Sequence, residues 1–165
     1  MTAGKLLPPD THHLSAAIGW LELGNPAEAS EELNRISAAM RVHPDVLETR
    51  WQLHAKTKEW EACVKVARET TQVVPANPFG WIHLSFALHE LKRTQDAYDN
   101  LIGVLVDFPY EWLMRYNLAC YSCQMGNLDE ARRWLVEAGT RGGAKQIKRM
   151  AREDPDLEPL FQEQK

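Results

Sequence analysis

Leu23-Gly24-Asn25-Pro26-Ala27-Glu28 and Met125-Gly126-Asn127-Leu128-Asp129-Glu130 are two copies of one boundary, and reading them decides the fold. In each, a glycine suits the left-handed conformation that ends a helix and an asparagine suits the N-cap of the next. In the first copy Pro26 takes the first helical position and Glu28 the reciprocal capping-box place. Gly24 and Gly126 are 102 positions apart, three steps of 34. The same step separates Ala29, Cys63, Ala97 and Ala131, then Pro75 and Pro109, then Leu84 and Leu118. Repeat starts at 10, 44, 78 and 112 put all of these in register. The chain therefore divides into an extension over 1–9, four repeats over 10–43, 44–77, 78–111 and 112–143, and a capping helix with a tail over 144–165.

Each repeat reads as two amphipathic helices around a turn, with weaker stop signals at Thr57-Lys58-Glu59 and Lys92-Arg93-Thr94. No useful stretch alternates with period two, so the expected class is all-α. The recurrent small residue has a steric reason, because two helices approach closely only where the side chain between them is short. A single hairpin of helices buries one face only, so neighbouring hairpins must stack and the expected architecture is a short solenoid.

The chain has 165 residues, 19 Lys+Arg against 23 Asp+Glu, a net charge of -4 and 44% hydrophobic residues. This is an ordinary globular composition for one domain and excludes a disordered, collagenous or supercharged chain. The mild acidity offers no general attraction to phosphate backbones or anionic lipid, so neither nucleic acid nor membrane is an expected partner. Pro8 and Pro9 interrupt any signal-peptide core near the start. The longest aliphatic run, Leu101 to Val106, falls far short of the roughly 20 residues of a spanning helix. Cys63, Cys120 and Cys123 match no disulfide framework, which fits a reducing, cytoplasmic setting.

Catalytic and metal chemistry find little support. Cys120-Tyr121-Ser122-Cys123 is a CxxC, but the register sets it in mid-helix, away from the helix N-terminus that activates a redox thiol. No histidine is spaced to complete a zinc site with it. His89-Glu90 is followed by Arg93 where a zinc-protease helix needs histidine. No nucleophile elbow, glycine-rich phosphate loop or Ser/His/Asp spacing is present. The chain is expected to be no enzyme and to need no cofactor.

The repeats carry a resemblance. Pro78-Phe79-Gly80-Trp81-Ile82-His83-Leu84-Ser85, Ala97 and Pro109, then Tyr116, Leu118-Ala119, Tyr121, Gly126, Leu128-Asp129-Glu130-Ala131 and Ala138 look like tetratricopeptide repeats. Copy two departs from that pattern at Arg50, Trp51 and His54, and copy one has Arg41 in place of the terminal proline. The resemblance implies a right-handed α-solenoid whose first helices line a concave, peptide-binding groove. Carried over, the groove positions include Glu48 and Gln52 in copy two, and Phe79, Ile82, His83, Phe86 and His89 in copy three. Copy four contributes Leu113, Tyr116, Asn117 and Cys120. A carboxylate clamp of the family type needs cations early in the array, where this chain has Asp45 and Glu48, so carboxylate-terminal ligands are disfavoured. Phe86 and Tyr116 are the expected anchors for a partner's peptide or amphipathic helix carrying apolar residues and a basic group. Trp20, Trp51, Trp60 and Trp134 are read as core.

Residues 144–153 put Ala144, Ile147, Met150 and Ala151 on one stripe, as a cap would. Arg141, Lys145, Lys148, Arg149 and Arg152 make the same region positive, read here as a solvated face. Asp154-Pro155-Asp156-Leu157-Glu158-Pro159-Leu160-Phe161 ends that helix and resembles a tail found after the last repeat in bacterial members of the family. Whether it fills the groove is left open. The main expectation is a non-enzymatic protein-interaction module. The alternatives are a small secretion or assembly chaperone of this repeat type, a homo-oligomerising scaffold pairing about a two-fold, and a redox or metal site at Cys120 and Cys123.

Overall fold

In the computed structural model, which describes residues 4–162, helices follow one another and no strand occurs among the described residues. They are α1 (Asp10–Glu22), α2 (Pro26–Arg35), α3 (Pro44–Lys56), α4 (Trp60–Val73), α5 (Pro78–Glu90) and α6 (Thr94–Val104). After them come α7 (Trp112–Gln124), α8 (Leu128–Gly142), α9 (Ala144–Glu153) and the short α10 (Pro159–Gln162). Single 3-10 turns lie at Ala38–Met40, Leu105–Asp107 and Pro155–Leu157.

The turns inside the hairpins obey one backbone rule. Gly24, Lys58, Lys92 and Gly126, each 34 positions after the last, have φ of 74°, 58°, 63° and 83°. The amide after each reaches back five residues: Asn25 to the Trp20 carbonyl at 2.8 Å, Glu59 to His54 at 2.8 Å, Arg93 to Leu88 at 2.9 Å and Asn127 to Ser122 at 2.8 Å. This pairing consumes carbonyls that a helix end otherwise leaves unsatisfied. At the first turn the Asn25 side chain then caps α2 by accepting the Glu28 amide at 3.3 Å. Two of the four left-handed positions are lysines, so the turn geometry is kept where no glycine announces it.

The chain forms two compact units, one up to His83 and one from Leu84 onward, and the boundary falls inside α5. In the first unit α1 packs on α2 and α3 on α4. Leu14, Ala17 and Leu21 of α1 meet Ala29, Leu33 and Ile36 from α2 and its end, with Val46 and Leu53 of α3 beside them. The Asp10 carboxylate closes this hairpin by accepting the Ser37 amide at 2.8 Å and the Ser37 hydroxyl at 2.6 Å. Those hydrogen bonds hold the Asp10 carboxyl below the ordinary carboxylate range.

In the second unit α6 packs on α7, α7 on α8, and α8 on α9. Ala97, Leu101, Met114, Leu118, Ala131 and Ala138 are completely buried. The recurrent small residues Ala29, Cys63, Ala97 and Ala131 are all at 0% exposure, which is the close helix approach that the spacing implies. Near the end of α8 the Trp112 ring lies over Gly142, so that a Cβ built there would meet Trp112 Cγ at 2.7 Å and Cδ2 at 2.8 Å. Gly142→Ala should therefore lower stability by about 1–3 kcal/mol, as overpacking against a fixed ring does. Urea unfolding measures this, and an unchanged midpoint would mean that the ring is free to move aside.

Candidate functional site

The first unit presents an aromatic surface built from α3 and the start of α5. Trp51 and His83 stack with ring centroids 4.0 Å apart and planes 10° from parallel. Phe79, one turn before His83 on α5, tilts against it at 5.9 Å and 40°. Phe79 is 49% exposed, while Trp51 and His83 are half-buried. Burial pushes the His83 imidazole down to about pH 4, so at neutral pH it is an uncharged ring. Glu48 and Gln52 flank this surface on α3, both exposed, with the Gln52 amide donating to Glu48 Oε1 at 3.4 Å. Glu48 precedes Trp51 by three positions and so shares its side of the helix. One turn beyond Gln52, the Lys56 ammonium is bonded to the Leu21 carbonyl. Ile82 is 6% exposed and belongs to the packing underneath.

The corresponding face of the second unit is covered by the chain's own tail. The Tyr116 hydroxyl donates to Asp154 Oδ2 at 2.8 Å, and the Cys120 thiol approaches the same oxygen at 3.6 Å. Asp156 Oδ2 accepts a hydrogen bond from His89 Nε2 at 3.1 Å, and the Thr94 hydroxyl lies 3.0 Å from His89 Nδ1. The Gln124 amide donates to the Asp156 carbonyl at 2.8 Å. Asp154 also caps the turn that carries it, through the Asp156 amide at 3.0 Å. Leu157 and Leu160 are 0% and 3% exposed, so this turn is embedded.

The predicted groove residues thus separate. Glu48, Gln52, Phe79 and His83 gather on the open face of the first unit. Tyr116, Cys120 and His89 are 5%, 5% and 7% exposed and face Asp154 and Asp156, so the expected anchor Tyr116 is held by an internal carboxylate. In the second unit Phe86 stays 39% exposed, and Leu113 and Asn117 are half-buried. Burial raises the Tyr116 phenol and the Cys120 and Cys123 thiols, and the two aspartates add to this, so both thiols stay protonated. No three His, Cys, Asp or Glu side chains converge to hold a metal among the described residues. Sequence reasoning set Trp51 in the core. It is half-buried, with its indole nitrogen enclosed and its ring against His83.

These hairpins, with their left-handed stops and small-residue contacts, make up a tetratricopeptide-type all-helical repeat fold. Solved structures of similar fold include those of MamA. One MamA crystal structure superposes with a TM-score of 0.73 at 12% identity, covering 84% of this chain and 81% of that one. MamA AMB-1 gives 0.63 at 21% identity over 79% and 72%, and MamA MSR-1 gives 0.64 at 20% over 81% and 76%. Neither a protein family model nor a curated protein sequence matches the chain.

Protonation of His83 is opposed by the fold, so the stability it gives is complete above about pH 6.5 and declines as the pH falls toward about 4. The loss should reach about 2–3 kcal/mol. An NMR titration should place the His83 midpoint near pH 4, and His83→Phe should remove the decline between those limits. A midpoint at the ordinary histidine value would show that the stacked ring is solvated. The thiols should also react with Ellman's reagent only as the protein unfolds. Rapid labelling of native Cys120 or Cys123 would show that the tail does not stay closed.

Proposed function

We propose that this protein is a non-enzymatic interaction module that binds an extended or helical segment of another protein, without a carboxylate clamp. The observation that carries the reading is the half-open Trp51–His83–Phe79 surface beside Glu48 and Gln52. Stacked rings offer a flat apolar platform, and Glu48 adds a single negative charge at its edge. A segment with a planar or aliphatic side chain next to an arginine or lysine matches both, since guanidinium groups stack on rings and pair with carboxylates. The second unit's face is a weaker candidate, because Asp154, Asp156, Leu157 and Leu160 already occupy it.

A reducing, cytoplasmic setting accords with three buried, unpaired thiols. No helix among the described residues is long and apolar enough to cross a membrane. Neither the chaperone alternative nor self-assembly finds a particular feature in its favour at this surface.

The test compares wild type with Phe79→Glu/Glu48→Lys as bait, after circular dichroism has established that the variant folds. A basic, apolar partner segment should bind wild type and lose about tenfold or more on the variant, as removal of a central anchor costs about 2 kcal/mol. Retention of every partner by the variant would remove this surface from consideration.

A further inference from the structure

The last helix is half of a hairpin. First helices begin at Asp10, Pro44, Pro78 and Trp112, and α9 begins at Ala144, close to the next 34-residue step at 146. Counting seven residues from the start reaches Ala17, Ser85 and Ala119 in three repeats, the position where the second helix comes close. In α9 the same count reaches Ala151. In complete hairpins a second helix lies against that position, as the Ser85 hydroxyl bonded to the Ala97 carbonyl at 3.0 Å records. After α9 no such helix follows among the described residues. Pro155 and Pro159 turn the chain into a single 3-10 turn and the four-residue α10.

What is left is an open apolar groove of about 360 Å³, walled by Leu135, Val136 and Gly139 of α8, Ile147 and Ala151 of α9, and Phe161 of α10. Val136 is 70% exposed and Phe161 36%. Along α9 stand Lys145, Lys148, Arg149 and Arg152, all exposed and without an ion-pair partner among the described residues. Lys148 lies on the groove wall itself. Lys145 and Arg149 line a neighbouring depression of the same helix and Arg152 another, so a chain of net charge -4 sets four unmatched cations along the helix that walls its apolar groove. Shape and charge describe one occupant. We propose that this groove receives an amphipathic α-helix of a partner protein, apolar on one side and acidic along its edge, which completes the unfinished fifth hairpin. The site belongs wholly to the second unit and stands independently of the function read at the aromatic surface of the first.

The full chain is titrated by fluorescence anisotropy with three labelled 16-residue helical peptides. One has leucines at i, i+3, i+4 and i+7 among glutamates and alanines, one replaces glutamate by lysine, and one replaces leucine by serine. The acidic amphipathic peptide should bind about tenfold or more tighter than either control, because both burial and charge sign contribute. Val136→Glu, and separately Lys148→Glu/Arg149→Glu, should each weaken it by about tenfold. These are surface positions, so unchanged circular dichroism is expected of both variants. Failure of the acidic peptide to bind overturns the proposal, and so does binding indifferent to Val136→Glu. Binding to phosphatidylserine vesicles or single-stranded RNA in place of the peptide would assign the cations to another ligand and also overturn it. So would concentration-dependent dimerisation lost in Val136→Glu, which would give the groove to a second copy.

Discussion

A helix can be followed at once by an antiparallel partner only if its last carbonyls find donors and its chain reverses within two or three residues. One residue in the left-handed region does both here, and it does so four times at a fixed interval. The reversal sets the second helix down where Ala29, Cys63, Ala97 or Ala131 is short enough to admit it. Everything else in each hairpin is consequent on that approach. The larger side chains one turn away reach the core, and the first helix turns its remaining face outward. That outward face is what a ligand can read. The constraint is steric and local.

The two units use that outward face differently. In the first, neighbouring rings satisfy one another by stacking while an edge stays in solvent. In the second, a short acidic turn from the end of the chain supplies carboxylates to a phenol, a thiol and an imidazole that burial would otherwise leave poorly solvated. The tail's two leucines are buried with it, so the polar and apolar contributions act together. This is a closed face, with hydrogen bonds for Tyr116, His89 and Gln124, although the buried Tyr121 hydroxyl beside His89 has none.

Much of the fold was legible because its determinants are local. Gly24, Gly126, Asn25 and Pro26 announce turn, cap and helix start in their own side chains, and the small residues expose the period. Lys58 and Lys92 take the same backbone conformation with no compositional sign, so those turns could be placed only by register. The site was less legible because its outcome rests on long-range contacts. Nothing near Tyr116 or Cys120 indicates that Asp154, more than thirty residues later, will cover them. Trp51 was read as core and is half-buried, but its partner His83, more than thirty residues later, could not be named from the motif. The groove over α9 was hidden for a different reason: the amphipathic stripe of a cap looks the same whether or not another helix lies on it.

The four reversals are alike in shape but unlike in strain. Glycine enters the left-handed region without steric cost, whereas a side chain there meets its own backbone, at roughly 1 kcal/mol. Lys58 and Lys92 bear that strain and Gly24 and Gly126 do not. Stability is therefore graded along the sequence, with the two inner bends softer than the outer ones. Amide exchange through local opening follows such a gradient. It should run faster at Lys58 and Lys92 than at Gly24 and Gly126.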